Sequence, residues 1–251
     1  MPTLALHTAW KFAGLGEPHP TIGPNNYYMT DEFAGELERR TLAKLTDLGL
    51  AGRGMLTRAF RHTLTVLAQP SHELYSWTHL PRTGDAGAIL VAALGSNAVR
   101  LVTDHAVVLI DPIDPDRLPE HLVETLPTVP GATVQSITVS RSEYDNAADF
   151  DNAADFDNDD PLAEPADGPV RRLANLMHAG RDAAHHIYVA TRHDDGPRRR
   201  SVPISALDLT NQGRVLTFIS YHSDGKANQI RLTSGTPANL IATLNATQQH
   251  L

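Results

Sequence analysis

The sequence predicts an α+β fold in which two pseudo-twofold-related helix–β-meander–helix halves share a central antiparallel sheet. Apolar residues first recur at steps of three and four, as in helices, and then alternate with period two, as in strands; this change of period occurs twice. The alternating segments are joined by short turn-forming stretches, which is typical of an antiparallel meander. A sequence echo between the two halves supports a duplication.

The first half contains three predicted helices before its strands. Leu4–Ala13 forms the first helix, Thr30 caps the second, and Arg53–Ala68 forms the third. The four strands that follow are His72–Leu80, Ala88–Leu94, Ala98–Thr103 and Ala106–Ile110. A helix that starts at Asp114 and a strand over Thr133–Val139 complete this half.

The second half repeats the same order. A helix over Val170–Ala179 precedes four strands, and a last helix starts at Pro237. The echo is clearest between residues 114–122 and 236–244, where a cap residue, a proline and two leucines recur at matching positions. The four strands are His185–His193, Ser201–Leu209, Arg214–Tyr221 and Asn228–Thr233.

The net charge of −8 comes from one segment. Between Ser142 and Val170 there are ten acidic residues and no Lys or Arg, whereas the rest of the chain carries a formal charge of +2. Neither part has the concentrated positive charge that nucleic acid requires, so we expect no nucleic acid partner. We predict an N-terminal half over residues 1–140, an acidic low-complexity insertion over 141–166, and a C-terminal half over 167–251. The repeat over Asp145–Asp160 is predicted to be a solvated loop.

Composition also limits the location and the chemistry. The chain has no cysteine, which excludes disulfides and zinc sites built on Cys ligands. Its longest apolar run is too short to span a membrane, and the N-terminus lacks the features of a signal peptide. We therefore expect a soluble, cytoplasmic protein without membrane insertion.

No motif for catalysis, metal or cofactor is found. Ser220–Asp224 contains the residue types of a catalytic triad, but neighbours on a strand and turn point apart. The densest histidines, His178, His185 and His186, match no known ligand spacing. The acidic repeat lacks the glycine and glutamate of a calcium-binding EF-hand, and there is no Walker loop or dinucleotide fingerprint. We predict no catalytic residue, no metal and no cofactor.

Strand parity predicts a partner-binding surface in the second half. Alternation places one set of apolar side chains toward the core: Ile187, Val189, Val215, Ile219, Ile230 and Leu232. The predicted surface on the other side consists of Tyr188, Arg192, Phe218, Gln229 and Arg231. Aromatic and arginine side chains are typical interface anchors, although packing under helices of the same chain is the alternative. Arg198–Arg200 is predicted to be a solvated hairpin tip, with contact to an acidic partner or to the chain's own acidic segment as the alternative.

The order of the predicted elements, with several short sequences along it, is similar to that of one known family. These short sequences are Trp10 with Gly14–Gly16, Asp47–Leu50, Leu64–Pro70, Ala93–Gly95, Val99–Leu101, Arg198–Ser201, Ser205–Asp208 and Gly213–Leu216. With them the chain resembles the EspG family, the chaperones associated with ESX (type VII) secretion in actinobacteria. The resemblance covers most of the chain except the acidic repeat. It implies a quasi-twofold α+β fold, action in the cytosol, and binding of the hydrophobic tip of PPE proteins in PE–PPE pairs, without ATP or a cofactor.

The predicted function is that of a cytosolic chaperone rather than an enzyme. It would bind PE–PPE-type substrates of a type VII (ESX) secretion system, keep them soluble and direct them to export. An exposed apolar tip aggregates until it is covered, and a broad sheet face can cover it. The alternative is a hydrolase with a His/acidic site between the two halves; a third is a small-molecule sensor with a closed apolar pocket. The identity of the client and self-association are left open.

Overall fold

The structure is a computed structural model that describes residues 1–23, 30–151, 168–193, 196–221 and 227–251. The acidic repeat beyond Asp151, residues 222–224 of the segment Ser220–Asp224, and residues 194–195 lie outside these ranges. In the described ranges, no helix combines the length and the apolarity that crossing a bilayer requires.

One ten-stranded antiparallel sheet forms the centre of the molecule. Its strands are β3 (His72–His79), β4 (Ala86–Leu94), β5 (Asn97–Thr103), β6 (Val108–Ile113), β7 (Ile137–Ser140), β8 (Arg181–Thr191), β9 (Arg199–Arg200), β10 (Ile204–Leu209), β11 (Gly213–Tyr221) and β12 (Ala227–Ser234). The spatial order is β6-β5-β4-β3-β8-β10-β11-β12-β7, and β9 pairs with the end of β8. A separate hairpin consists of β1 (Ala51–Gly52) and β2 (Met55–Leu56).

Two meanders lie side by side in this sheet and meet where β3 pairs with β8. The helices are α1 (Thr3–Ala13), α2 (Asp31–Asp47), α3 (Arg58–Ala68), α4 (Leu118–Thr125), α5 (Arg141–Asp151), α6 (Pro169–His178) and α7 (Pro237–Gln249). The first meander lies between α3 and α4, and the second lies between α6 and α7. The predicted α+β fold with two related helix–meander–helix halves is confirmed.

The echo at residues 114 and 236 marks equivalent helix starts. Asp114 accepts a hydrogen bond from the backbone N–H of Asp116 and caps a 3-10 turn that leads into α4. Thr236 caps α7 by accepting from the backbone N–H of Asn239, and each cap is followed by a proline. α4 and α7 pack against each other and against the middle of one sheet face, which we call the α4/α7 face.

The opposite face, here called the α3/α6 face, carries two separate helical layers. α1 and α3 cover the first meander around the buried side chains of Trp10, Leu64 and Leu90. α6 covers part of the second meander through Val170 and Leu173. The two layers bury different clusters of side chains, and the centre of this sheet face lies between them.

α3 begins five residues later than predicted. Residues 51–56 form the β1–β2 hairpin, in which Ala51 pairs with Leu56. Its two central residues, Arg53 and Gly54, both have positive φ (53° and 77°), as a tight two-residue turn requires. Thr57 then caps α3, and the apolar spacing that predicted a longer helix applies only beyond it.

The solvated loop predicted over Asp145–Asp160 is wrong for residues 145–151, which belong to α5. The helix starts with a capping box: the Glu143 backbone N–H donates to the Ser140 hydroxyl at 3.1 Å, and the Ser140 N–H donates to the Glu143 carboxylate at 2.9 Å. The Ser-x-x-Glu pattern that makes this box is present in the sequence. The division into regions 1–140, 141–166 and 167–251 stays a prediction.

A tight linker joins α4 to β7 across the end of β11. The Arg214 N–H donates to Pro130 O, and the Ala132 N–H donates to Arg214 O, both at 2.8 Å. A Cβ on Gly131 would lie 2.5 Å from the Ser234 hydroxyl oxygen, so only glycine fits between them. This linker leads the chain from the first half to β7, the edge strand beside β12 in the second.

The free edge at β6 is protected against pairing with another strand. Met1 exchanges two backbone hydrogen bonds of 2.7 Å with Val108, so the N–H and C=O of Val108 point outward and are occupied. By alternation Pro112 points the same way and has no N–H to donate. Only Ile110 between them offers a free pair of groups, which disfavours self-association through this edge.

Candidate functional site

The α3/α6 face is uncovered at its centre, between the two helical layers. Trp77 of β3 pairs with His186 of β8, which pairs with Ser205 of β10, so their side chains form one row across three strands. His186 is exposed, and Trp77, Ser205 and the neighbouring Tyr188 are half-buried. We call these four residues the central strip. Flat sheet with aromatic side chains is suited to burying the apolar surface of a partner.

Three aromatic rings make the floor of this strip rigid. Tyr75 is buried and stacks on Tyr188, with ring centroids 5.2 Å apart and planes 13° apart. Trp77 lies edge-on to both tyrosines, at 5.1 Å from Tyr75 and 5.4 Å from Tyr188. Each such pair contributes about 0.5–1.5 kcal/mol beyond the area it buries, so the rings hold their positions without a partner.

Two arginines lie over the tyrosine rings: Arg200, in the short strand β9, and Arg198, immediately before that strand. β9 pairs with the end of β8, with Arg200 opposite Ala190 and Arg199 opposite Thr191. The guanidinium carbon of Arg200 lies 4.9 Å from the centroid of Tyr188, and that of Arg198 lies 5.4 Å from the centroid of Tyr75. These are cation–π distances.

Arg198 is bound by the buried carboxylate of Glu73. Its Nε donates to Glu73 Oε1, and Glu73 Oε2 lies 3.4 Å from Nε2 of His19. Burial raises the pKa of Glu73 above its usual value, and the charge and hydrogen bond of Arg198 oppose that rise. Nδ1 of His19 accepts the Thr21 backbone N–H, so the proton of the neutral ring lies on Nε2 and faces Glu73. Burial, and then the charge of Arg198, lower the pKa of His19 to about 3.

The low pKa of His19 predicts that stability falls in mild acid. In the unfolded chain a histidine takes up a proton near pH 6.5, whereas folded His19 stays neutral down to about pH 3. The unfolded state therefore gains protons as the pH falls below 6.5. Because of His19, we expect the free energy of unfolding to be about 2 kcal/mol lower at pH 5 than at pH 6.5. Denaturant unfolding at these two pH values measures the loss.

The variant His19→Gln isolates this contribution from that of other groups. The amide keeps a donor near Glu73 but does not titrate, so the difference between the two pH values should shrink by about 2 kcal/mol. His62→Gln, at an exposed position on α3, is the matched control and should keep the wild-type difference. Equal pH dependence in wild type and His19→Gln would contradict the assignment.

A second ionic network lies on the α4/α7 face and is fully enclosed. Asp208 accepts from Arg214 Nε at 2.5 Å and from its Nη2 at 2.9 Å, and His185 Nε2 lies 3.2 Å from the same carboxylate. Arg214 Nη2 also donates to Pro127 O, in the linker after α4. Burial acts to raise the pKa of Asp208, but the hydrogen bonds from His185 and Arg214 outweigh it and hold the pKa below its usual value.

Both networks are built for structure more than for catalysis. A catalytic base must be within reach of a substrate, yet Asp208 and Glu73 are almost fully buried, and each is bonded to an arginine. In the described parts of the chain, no group of three or more His, Cys, Asp or Glu side chains is arranged to hold a metal ion. A cleft of about 490 Å³ between the start of α4 and the end of α7 is open to solvent and is not a closed apolar pocket.

The five residues predicted to form one surface do not share a face. Tyr188 lies in the central strip, on the α3/α6 face, and Arg192 follows the end of β8, with its N–H bonded to Ser71 O. Phe218 packs against the cluster under α4 and α7. Arg231 pairs with Phe218, and Gln229 lies two residues from Arg231, so these two residues point to the α4/α7 face as well. The prediction of a single face is wrong.

The error arises because alternation shows which residues of one strand share a face, but it does not show which of them share a face with residues of another strand. The residues predicted to be core-facing divide in the same way: Ile187 and Val189 lie in the α4/α7 cluster, and Val215 and Leu232 lie in the cluster under α6. Both faces of the sheet are buried in places, so no sequence alternation distinguishes them. The role of the five residues in binding stays a prediction.

Trp77, Tyr75, Glu73 and Arg200 were not predicted as site residues from the sequence. A signal existed, because Tyr75 and Trp77 are two residues apart on one strand in a chain with only 6% aromatic residues. Arg198–Arg200 is not a solvated tip throughout. Arg198 is bound to Glu73, and Arg200 lies on Tyr188.

Comparison with known proteins identifies a family and a protein of similar structure. The family model for the EspG family matches residues 2–246. Among solved structures, the chain resembles the type VII secretion system chaperone EspG5 of Mycobacterium tuberculosis, determined in complex with a PE25–PPE41 dimer. The TM-score is 0.72 at 14% identity, over 98% of this chain and 93% of that chain, which supports the same fold. No curated protein sequence matches the chain.

Proposed function

Because this chain belongs to the EspG family, we propose that it is a chaperone for PE–PPE-type substrates of a type VII secretion system. It binds such a pair in the cytoplasm, keeps it soluble and directs it to export. The observation that carries this proposal is the family match over residues 2–246. The solved relative of the same fold, bound to a PE25–PPE41 dimer, supports the class of client.

The protein works by binding and not by catalysis in this proposal. The exposed aromatic and polar side chains of the sheet bury an apolar surface of the client that would otherwise aggregate. The fixed rings of Tyr75, Trp77 and Tyr188 reduce the entropy lost on association because they are already in place. No bond is made or broken, so the affinity for the client alone determines how much of it is bound.

We place the client on the central strip. This surface lies between two helical layers, has two half-buried aromatic side chains, and is bordered by Arg192 and Arg200. Half-buried aromatics with arginines at their margin are the usual composition of an interface hot spot. Phe218, Gln229 and Arg231 stay predicted contacts on the α4/α7 face, and a charge reversal there tests that face separately.

Co-expression with a PE–PPE pair encoded beside the gene tests the function. We expect one stable complex with equal amounts of the chaperone, the PE protein and the PPE protein in size-exclusion chromatography with light scattering. The PE–PPE pair expressed without the chaperone should be less soluble. Recovery of a soluble pair and a separate monomeric chaperone, with no complex at micromolar concentration, would contradict the proposal.

A further inference from the structure

We propose that Arg200 is an anion-recognition residue that binds a carboxylate of the client beside its apolar surface. This inference rests on the proposed chaperone function and adds a chemical requirement for the client: an acidic side chain next to the apolar patch that the central strip covers.

The position of Arg200 is fixed by the backbone and by a ring. β9 pairs with β8, and the N–H of the next residue, Ser201, donates to Val189 O at 2.9 Å. The guanidinium lies over the ring of Tyr188, which holds its plane above the strip. A guanidinium held in this way loses little conformational entropy when it binds a carboxylate with two parallel hydrogen bonds.

Arg200 forms no salt bridge within the described part of the chain. Arg198, two residues earlier, is neutralised by Glu73, whereas Arg200 has no carboxylate partner in the described ranges. Asp194 and Asp195, which precede Arg200 in the sequence, lie outside those ranges. Within the described ranges, Arg200 therefore places an unpaired positive charge beside the central strip.

The setting of Arg200 selects a carboxylate flanked by apolar surface. The guanidinium lies beside the aromatic floor, where a docked client excludes water and strengthens a charged hydrogen bond. A carboxylate in a fully polar segment would keep its water and gain little at this position. The ligand class is therefore an acidic residue on an otherwise apolar client surface.

Salt-dependent titration of the co-expressed PE–PPE pair tests this role. We expect Arg200→Gln to weaken binding about tenfold at about 0.05 M salt, the value of a charge-assisted hydrogen bond, and to lose most of that difference at about 0.5 M salt. Arg200→Lys keeps the charge without the planar fork and should recover only part of the affinity.

Arg199→Gln is the matched control because it makes the same charge change on the adjacent residue of β9. Arg199 points to the other side of the strand, so its loss should change affinity by about twofold or less. Equal losses for the two variants would overturn the proposal, since they would reflect general attraction alone.

The double variant Asp194→Asn/Asp195→Asn tests the two carboxylates that precede Arg200 in the sequence. If Arg200 binds the client, removing these two carboxylates should tighten client binding. Weaker binding would mean that Arg200 acts within its own chain, and would overturn the proposal. Failure of the wild-type chain to bind the pair at all would overturn the chaperone function. Binding that is insensitive to Arg200→Gln would overturn only this inference.

Discussion

Replacing Arg214 by methionine is expected to lower the free energy of unfolding by about 3–5 kcal/mol, because it leaves a buried charge without its main partner. Asp208 would keep only His185, in a site where both side chains are almost fully buried. Methionine retains most of the aliphatic length, so the loss reflects the guanidinium and its bonds to Asp208 and Pro127. Urea unfolding at pH 7, monitored by circular dichroism, measures it.

The double variant Asp208→Asn/Arg214→Met separates the ion pair from its surroundings. Removing both charges eliminates the unpaired carboxylate, so the double variant should be more stable than Arg214→Met alone. A loss of less than about 1 kcal/mol for Arg214→Met would contradict the account, since surface ion pairs give values of that size.

A glutamate at position 186 is expected to weaken binding of the PE–PPE pair about a hundredfold or more, because an unpaired charge would be buried at the centre of the central strip. His186 is exposed in the free protein, so the free energy of unfolding should change by only about 0.5 kcal/mol. Isothermal titration calorimetry of His186→Glu with the pair gives the affinity.

His62→Glu, on the exposed side of α3, makes the same substitution away from the strip and should bind as the wild type does. Arg231→Glu makes a charge reversal on the α4/α7 face. Loss of binding in Arg231→Glu with retention in His186→Glu would place the client on that face, and would contradict the central strip as the docking surface.

The order of helices and strands was predictable because each element carries its own local signal. Thr30 and Thr236 cap helices as predicted, since a hydroxyl before a helical pattern acts within one turn of chain. The duplication followed from the same local signals repeated in order. The start of α5 also has a local signal, the capping box at Ser140. The high density of acidic residues favoured a loop instead, so this helix was not predicted.

The site was less predictable because it depends on contacts between distant residues. Glu73 and Arg198 are 125 residues apart, and the sequence gives no sign that a carboxylate on a strand is buried under that arginine. Tyr188 was identified from alternation, yet the face it shares with Trp77 follows only from the pairing of β3 with β8. Phe218 shows the limit of alternation, since it points to the other face.

Fluorine NMR of the chain labelled with 5-fluorotryptophan tests the central claim most directly, because the chain has two tryptophans in opposite settings. Trp10 is buried in the core, and Trp77 lies half-exposed in the central strip. On titration with the unlabelled PE–PPE pair, we predict that the Trp77 resonance shifts and saturates at one equivalent while that of Trp10 stays in place. A complex that forms with the Trp77 resonance unchanged would contradict the account.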